Sequence, residues 1–215
     1  LIIFNMSFKK NKYIVIRNAI DKDLATFLAN YFSIKKQVFD TCTKEKYISP
    51  FEKMLGYYEK EEDQIPNTYC CYSDIAMDTL LLKCQPKMEK ATRLKLYPAY
   101  TYARIYKKGD ELKRHKDRFS CEISTTMNLG GDPWTIYLEP SGDTDKKGIK
   151  IDLKQGDMLV YSGCELEHWR KKFKGKECVQ VFLHYNNRKT TGAKENIFDG
   201  RVHVGLPGWF KKNGI

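Results

Sequence analysis

Residues 102–117, with the sequence YARIYKKGDELKRHKD, are the stretch from which the fold and the chemistry of this chain can be inferred. The stretch begins with an alternating run that is typical of a β-strand and turns at Lys108-Gly109-Asp110. It ends in His115-Lys116-Asp117. Residues two apart on a strand point to the same side, so the side chains of His115 and Asp117 can approach one atom.

A third candidate ligand lies much further along the chain. His168, one of four histidines in the sequence, follows Asp117 by 51 residues. Four predicted strands separate the two positions, which can place His168 opposite His115 and Asp117 on a neighbouring strand. Two imidazoles and one carboxylate cover one face of an octahedron and leave three positions open, as in non-haem iron(II) sites. We therefore predict that His115, Asp117 and His168 bind one metal ion.

The pattern around these residues indicates a β-rich domain behind two helices. Tyr13-Ile14-Val15-Ile16 is typical of a strand, Asp21 can cap a helix to about Phe39, and Ser73 or Asp74 can cap a second helix. Pro86 is expected to kink or restart that helix. Residues 41–72 are predicted to form an irregular loop, and a loop this long in a compact domain is often functional, for example as a lid.

Short apolar or alternating runs follow the second helix. Turn signals rich in glycine and aspartate separate them, which favours a β-sandwich or jelly roll. The predicted runs are 94–98, 101–106, 121–129, 134–138, 149–153, 157–162 and 178–185. We predict one domain over residues 1–215, with a supporting region at 1–93, a jelly-roll core at 94–188 and a tail at 189–215 that packs back on the body.

Three stretches resemble the 2-oxoglutarate/iron(II)-dependent dioxygenase superfamily, in its prolyl 4-hydroxylase-like branch. Residues 102–117 resemble the strand, glycine turn and HxD of that family. Residues 155–161, QGDMLVY, resemble its strand before the distal histidine, and residues 180–185, QVFLHY, resemble its last core strand. The resemblance covers about residues 95–188 and is greatest to small viral and environmental oxygenases. It implies an α+β fold with a double-stranded β-helix (jelly-roll, cupin-like) core buttressed by N-terminal helices.

The resemblance also implies cofactors and further site residues. Fe(II), 2-oxoglutarate and O₂ are expected, with ascorbate as a supporting reductant. Tyr106, nine residues before His115, matches a family tyrosine that donates a hydrogen bond to a cosubstrate carboxylate. The family places a basic residue nine to twelve positions after the distal histidine, and Lys176, eight after His168, is the nearest match. Arg104 and Gln180 are the alternatives for that role.

The sequence also predicts where other polar residues of the core lie. Ser124, Thr126 and Asn128 alternate along one strand, and a polar face inside a barrel favours a ligand pocket there. His184 is expected to pack in the core or to support the metal ligands. Trp169 and Arg170, which flank the distal histidine, are expected at the mouth of the pocket.

Composition limits the classes of protein to which the chain can belong. Hydrophobic residues make up 41% of the sequence, and no apolar run is long enough to cross a bilayer. Seven cysteines, an odd number without CxxC spacing, argue against a disulfide scaffold and a thiolate zinc site. They favour a reducing cytoplasm. The apolar start, residues 1–4, is too short for a signal peptide, and Met6 is a candidate start.

The sequence leaves several functional hypotheses open. The favoured reaction is hydroxylation of a substrate C–H bond, most simply on a protein side chain such as proline, with release of succinate and CO₂. The net charge of +11 also allows a nucleic-acid substrate, and a small metabolite is a further alternative. A non-catalytic basic jelly-roll binding module and a zinc hydrolase with the same ligands are the competing classes. No membrane partner is expected.

Overall fold

The computed structural model describes residues 7–59, 65–143 and 145–212, and Met6 therefore lies outside the described residues. Its helices are the short α1 and the long α2 and α3, which run over Phe8–Asn11, Lys22–Lys44 and Ile75–Thr92. The predicted caps are confirmed. The Asp21 carboxylate accepts the Leu24 backbone N–H at 2.7 Å, and Asp74 accepts two backbone N–H groups of the first turn of α3.

The strands of the described residues form two antiparallel sheets. In chain order they are β1 (Tyr13–Ile16), β2 (Tyr57–Tyr58), β3 (Tyr69–Tyr72), β4 (Leu96–Lys107), β5 (Leu112–His115), β6 (Ile123–Gly131), β7 (Ile136–Glu139), β8 (Ile149–Ile151), β9 (Met158–Ser162), β10 (Glu167–Arg170) and β11 (Glu177–Asn187). The larger sheet has the order β1-β9-β6-β11-β4-β3-β2, and the smaller has the order β5-β10-β7-β8. Two short 3₁₀ helices, Phe119–Cys121 and Ile197–Gly200, complete the fold.

The helices cover the outer face of the larger sheet. Alternate residues of β11, Val179, Val181, Leu183 and Tyr185, pack into one apolar core with Leu28 and Phe32 of α2 and Leu81 of α3. The intervening residues of β11 point the other way, toward the smaller sheet, as the alternation of a strand requires. Helices on one side and a second sheet on the other give the predicted double-stranded β-helix core, which is confirmed.

Three predictions about the helical half are corrected. α2 continues five residues beyond Phe39, and part of the predicted loop 41–72 is β-structure, because β2 and β3 extend the edge of the larger sheet. α3 runs through Pro86 as one helix. Pro86 and Leu82, whose carbonyl loses its helical donor, are both on the exposed side, where water can satisfy that carbonyl.

The remaining elements agree more closely with the sequence. The predicted runs 94–98 and 101–106 are one continuous strand, β4. The seven cysteines all lie in the described residues and are free thiols, as expected. In the described part of the chain no helix combines the length and hydropathy needed to span a bilayer.

Candidate metal centre

The smaller sheet brings the three predicted ligands together. β10 pairs with β5 so that His168 lies directly opposite His115. Asp117 lies two residues beyond the end of β5, not on the strand as predicted, and its backbone N–H donates to the Gly163 carbonyl at 2.9 Å. The nearer Asp117 oxygen, Oδ1, is 3.6 Å from His115 Nε2 and 3.4 Å from His168 Nε2.

These distances fit ligands of a single ion. The three candidate ligand atoms all lie within 4.8 Å of one another. Atoms that each bind one ion at about 2.1 Å lie roughly 3 Å apart on adjacent octahedral corners. Small side-chain movements would therefore bring His115, Asp117 and His168 onto one metal.

Backbone carbonyls orient both imidazoles. Nδ1 of His115 is 2.8 Å from the Lys113 carbonyl, and Nδ1 of His168 is 3.1 Å from the Leu166 carbonyl. A carbonyl only accepts, so each Nδ1 carries the proton and donates it. The lone pair is then on Nε2, the atom that faces Asp117 in both residues. Such contacts fix the tautomer and ring orientation of metal-binding histidines.

Ser124 and His184 hold the other oxygen of Asp117. The Ser124 hydroxyl donates to Asp117 Oδ2 at 2.9 Å and lies 2.9 Å from His184 Nδ1. Burial lowers the pKa of His184 to about 4, so this imidazole is neutral near pH 7. Burial acts to raise the pKa of Asp117, but the nearby side chains of His168 and His115 outweigh it and hold the pKa well below its usual range. Asp117 is therefore ionised and can serve as an anionic metal ligand.

A glycine makes room for this arrangement. A Cβ at Gly163 would lie closer than 3.0 Å to the Cys121 carbonyl oxygen, to Asp117 Oδ2 and to the Ser124 hydroxyl, a distance that real Cβ atoms essentially never show. The missing side chain lets the Gly163 backbone approach Asp117. Gly163 thus positions the carboxylate, a role that no motif or spacing in the sequence indicated.

The metal ligands open into a cavity of about 720 Å³ between the sheets. Aromatic side chains form much of its wall, together with positively charged groups. The residues that line it besides the ligands include Tyr100, Tyr102, Arg104, Tyr106, Lys116, Arg118, Tyr161 and Phe182. The cavity leaves space next to the three ligand atoms for further metal ligands and for a substrate.

Not all of the residues predicted to bind the cosubstrate lie near the cavity. Tyr106 lies on β4, is buried and lines the cavity. Arg104 also lines the cavity, where its guanidinium donates to the Tyr102 hydroxyl at 3.0 Å. Gln180 is buried on the inner face of β11. Lys176 is not brought into this group, because its side chain is exposed and it precedes β11. That exposed position does not fit Lys176 as the basic residue that the resemblance implies for the cosubstrate.

Sequence reasoning misplaced Arg170. We expected it at the pocket mouth, but it is 1% exposed and lies inside the barrel. Its guanidinium bonds to the Thr126 hydroxyl at 3.1 Å and to Gln180 Oε1 at 3.5 Å. The alternation of β10 was the available signal, because Arg170 shares the side of the strand that His168 occupies. The predicted polar row Ser124, Thr126 and Asn128 is buried, and its first two members contact Asp117 and Arg170.

No protein-family model and no curated protein matches the sequence. Solved structures do match the fold. A prolyl-4-hydroxylase from Pseudomonas putida aligns with a TM-score of 0.62 and 15% identity, over 84% of this chain and 95% of that one. A non-haem α-ketoglutarate-dependent epimerase of nogalamycin biosynthesis aligns with a TM-score of 0.60 and 9% identity, over 84% and 80% of the two chains. A viral collagen prolyl hydroxylase from Paramecium bursaria Chlorella virus-1 gives 0.53 and 13%, over 84% and 98%. This chain therefore has the double-stranded β-helix fold of the 2-oxoglutarate/iron(II) oxygenases, prolyl hydroxylases among them.

Proposed function

We propose that this protein is an iron(II)- and 2-oxoglutarate-dependent oxygenase that hydroxylates a C–H bond of its substrate. The reaction consumes 2-oxoglutarate and O₂ and gives succinate, CO₂ and the hydroxylated product. One oxygen atom enters succinate and the other enters the product, so the equation balances without another reductant. The bound iron and 2-oxoglutarate would supply the oxidation, and the protein supplies the ligands and the enclosed cavity.

One observation carries the proposal. Two imidazole nitrogens and one ionised carboxylate converge within 4.8 Å beside an open cavity. This donor set fits iron(II) with open positions for a chelating keto acid and O₂. The fold supports it, since the three aligned structures include two prolyl hydroxylases and an α-ketoglutarate-dependent enzyme.

The test measures succinate formed from 2-oxoglutarate by the purified protein with Fe(II), in air and without oxygen. We expect succinate only when iron and oxygen are both present, and none from the Asp117→Ala variant. His203→Ala is the matched control, because His203 is an exposed histidine of the tail and should leave turnover unchanged. Hydrolytic activity that persists without oxygen would instead favour a zinc hydrolase.

For the substrate, we propose a protein side chain, with peptidyl proline as the first candidate. The cavity is wide, and Tyr100, Tyr102 and Phe182 give its wall the flat apolar surfaces on which a proline ring packs. The two prolyl hydroxylases among the aligned structures support the same class. Proline-containing peptides incubated with the loaded enzyme should gain one oxygen atom by mass spectrometry. Modification of single-stranded nucleic acid but not of peptides would contradict this substrate class.

The compartment proposed for this reaction is the cytoplasm. All seven cysteines are free, and five of them are buried. A reducing compartment keeps such thiols reduced and also keeps iron ferrous. Fractionation of the source cells, followed by detection of the protein with an antibody, would test this location.

A further inference from the structure

Arg170 is a buried positive charge whose surroundings are neutral. It is the last residue of β10, and its guanidinium contacts the Trp134 carbonyl, the Thr126 hydroxyl and the Gln180 side-chain oxygen. Among the described residues no carboxylate lies within ion-pair distance of it, and its Nε has no hydrogen-bond partner. A buried charge of this kind is costly unless an anion pairs with it.

Arg201 is also a fully buried arginine, and its contacts can be compared with those of Arg170. The Arg201 guanidinium lies 3.7 Å from Asp78 Oδ2 and donates to the backbone carbonyls of Phe198, Leu206 and Ala99. It therefore has both a counter-charge and a full set of acceptors. The contrast indicates that the counter-charge of Arg170 comes from a bound molecule.

The position of Arg170 relative to the metal centre defines the size of that molecule. His168 and Arg170 are two residues apart on one side of β10, a spacing of about 6.6 Å along a strand. On β6 of the facing sheet the same two-residue step separates Ser124, which bonds the metal ligand Asp117, from Thr126, which bonds Arg170. A short dicarboxylate that binds the metal through one end can reach the guanidinium with the other.

Aromatic side chains connect this position to the cavity. Tyr106 lines the cavity together with His168 and packs edge-on against the Trp134 ring, with centroids 4.8 Å apart. The Arg170 guanidinium also lies over the Trp134 ring, 5.1 Å from its centre. The pocket would thus end in aromatic walls and one cation, with Tyr106 beside the chain of the bound diacid.

We infer that Arg170, assisted by Thr126, binds the far carboxylate of 2-oxoglutarate. The assignment rests on the proposed function and places the anion site on β10, two residues after a metal ligand, instead of on β11 at Lys176. The unpartnered Nε–H can donate a charge-assisted hydrogen bond to a carboxylate, while Nη2 beside it is held by Thr126 and Gln180.

The experiment compares two keto acids that differ only at the far end. Calorimetry without oxygen measures the binding of 2-oxoglutarate and of 2-oxopentanoate, which lacks the far carboxylate, to the Mn(II)-loaded protein. We expect the wild-type protein to prefer 2-oxoglutarate by about 10- to 100-fold, the range for a hydrogen-bonded charged group. Arg170→Met should remove the preference while leaving the affinity for 2-oxopentanoate within a few-fold. Lys176→Ala, the matched control at the surface, should bind both as the wild type does.

Two further variants guard against a folding defect. Arg170→Lys keeps the charge but not the planar fork and should retain part of the preference, and Thr126→Val should weaken the binding of 2-oxoglutarate alone. A preference that survives in Arg170→Met, or that is lost instead in Arg104→Met, overturns the assignment while the proposed function stands. A wild-type protein that binds Mn(II) but neither keto acid overturns both.

Discussion

Replacement of Gly163 by alanine is the most direct perturbation of the metal centre that leaves all three ligands in place. The added methyl group would meet the Cys121 carbonyl oxygen, Asp117 Oδ2 and the Ser124 hydroxyl, the last at 2.8 Å. Backbone at Cys121 cannot move as a flexible side chain does, so the Asp117 carboxylate is the group that yields. Asp117 would then turn away from the two Nε2 atoms that it now faces at 3.4 and 3.6 Å.

Two effects of Gly163→Ala can be estimated, the loss of folding stability and the loss of metal affinity. Overpacking of this kind costs about 1–3 kcal/mol of folding stability. At roughly 2–4 °C per kcal/mol for a protein of this length, the melting temperature should fall by about 2–12 °C. Loss of the geometry that supports a metal ligand typically weakens metal binding by about 10- to 100-fold. The loss of folding stability and the weaker metal binding have one cause, the added methyl group, so they should appear together.

The assay pairs a Mn(II) titration by calorimetry with a thermal melt of the metal-free protein. Gly130→Ala is the matched control, since its Cβ would meet Ala29 at 3.4 Å, an ordinary contact on the far side of the larger sheet. We expect Gly130→Ala to bind Mn(II) like the wild type. The reasoning is refuted if Gly163→Ala binds Mn(II) with wild-type affinity, or if both glycine variants weaken it equally.

Three further predictions concern buried polar side chains. Ser124→Ala removes the hydroxyl that holds Asp117 and should weaken Mn(II) binding about 10-fold by titration, with little change in unfolding. Burial acts to raise the pKa of Asp199, but hydrogen bonds outweigh it and hold the pKa below its usual range. Asp199→Asn should therefore cost about 1–3 kcal/mol in urea unfolding at pH 7, a difference that begins to shrink as the pH falls below about 4 and is lost as the pH falls through the lowered pKa of the folded protein. Arg201→Met leaves Asp78 buried without its cation and should cost about 3–5 kcal/mol by urea unfolding, whereas a cost under 1 kcal/mol would contradict the pairing.

The sequence was enough to identify the three candidate metal ligands, because the prediction needed only strand patterns and a family resemblance. An HxD motif after a strand and glycine turn needs only the alternation of strand side chains, and the distal histidine needs only a count of strands. That count is confirmed, because β6, β7, β8 and β9 separate Asp117 from β10. The pairing of β10 with β5 then places His168 against His115.

The contacts that support the ligands could not be predicted in this way. Gly163 approaches Asp117 across 46 residues of chain, and the approach depends on how the loop after β9 packs against the loop after β5. Periodicity describes one strand at a time and does not give distances between loops. The exposure of Lys176 could not be foreseen for a related reason. Its backbone N–H donates to Asp132 at 2.6 Å, which keeps the chain in a turn until β11 begins at Glu177.

Arg170 shows what the sequence could have revealed and what it could not. Its side of β10 follows from its spacing to His168, but its burial depends on the facing sheet, where Thr126 and Gln180 offer oxygen acceptors. On the inner row of β6, Ser124 bonds Asp117. The next residue of the row, Thr126, bonds a cation that has no anion among the described residues. Because these two residues are one strand step apart, the polarity of the barrel interior itself sets a direction for the cosubstrate. Its keto acid lies at the histidines and its far carboxylate at the guanidinium, which leaves the tyrosine-lined side of the cavity open for the substrate.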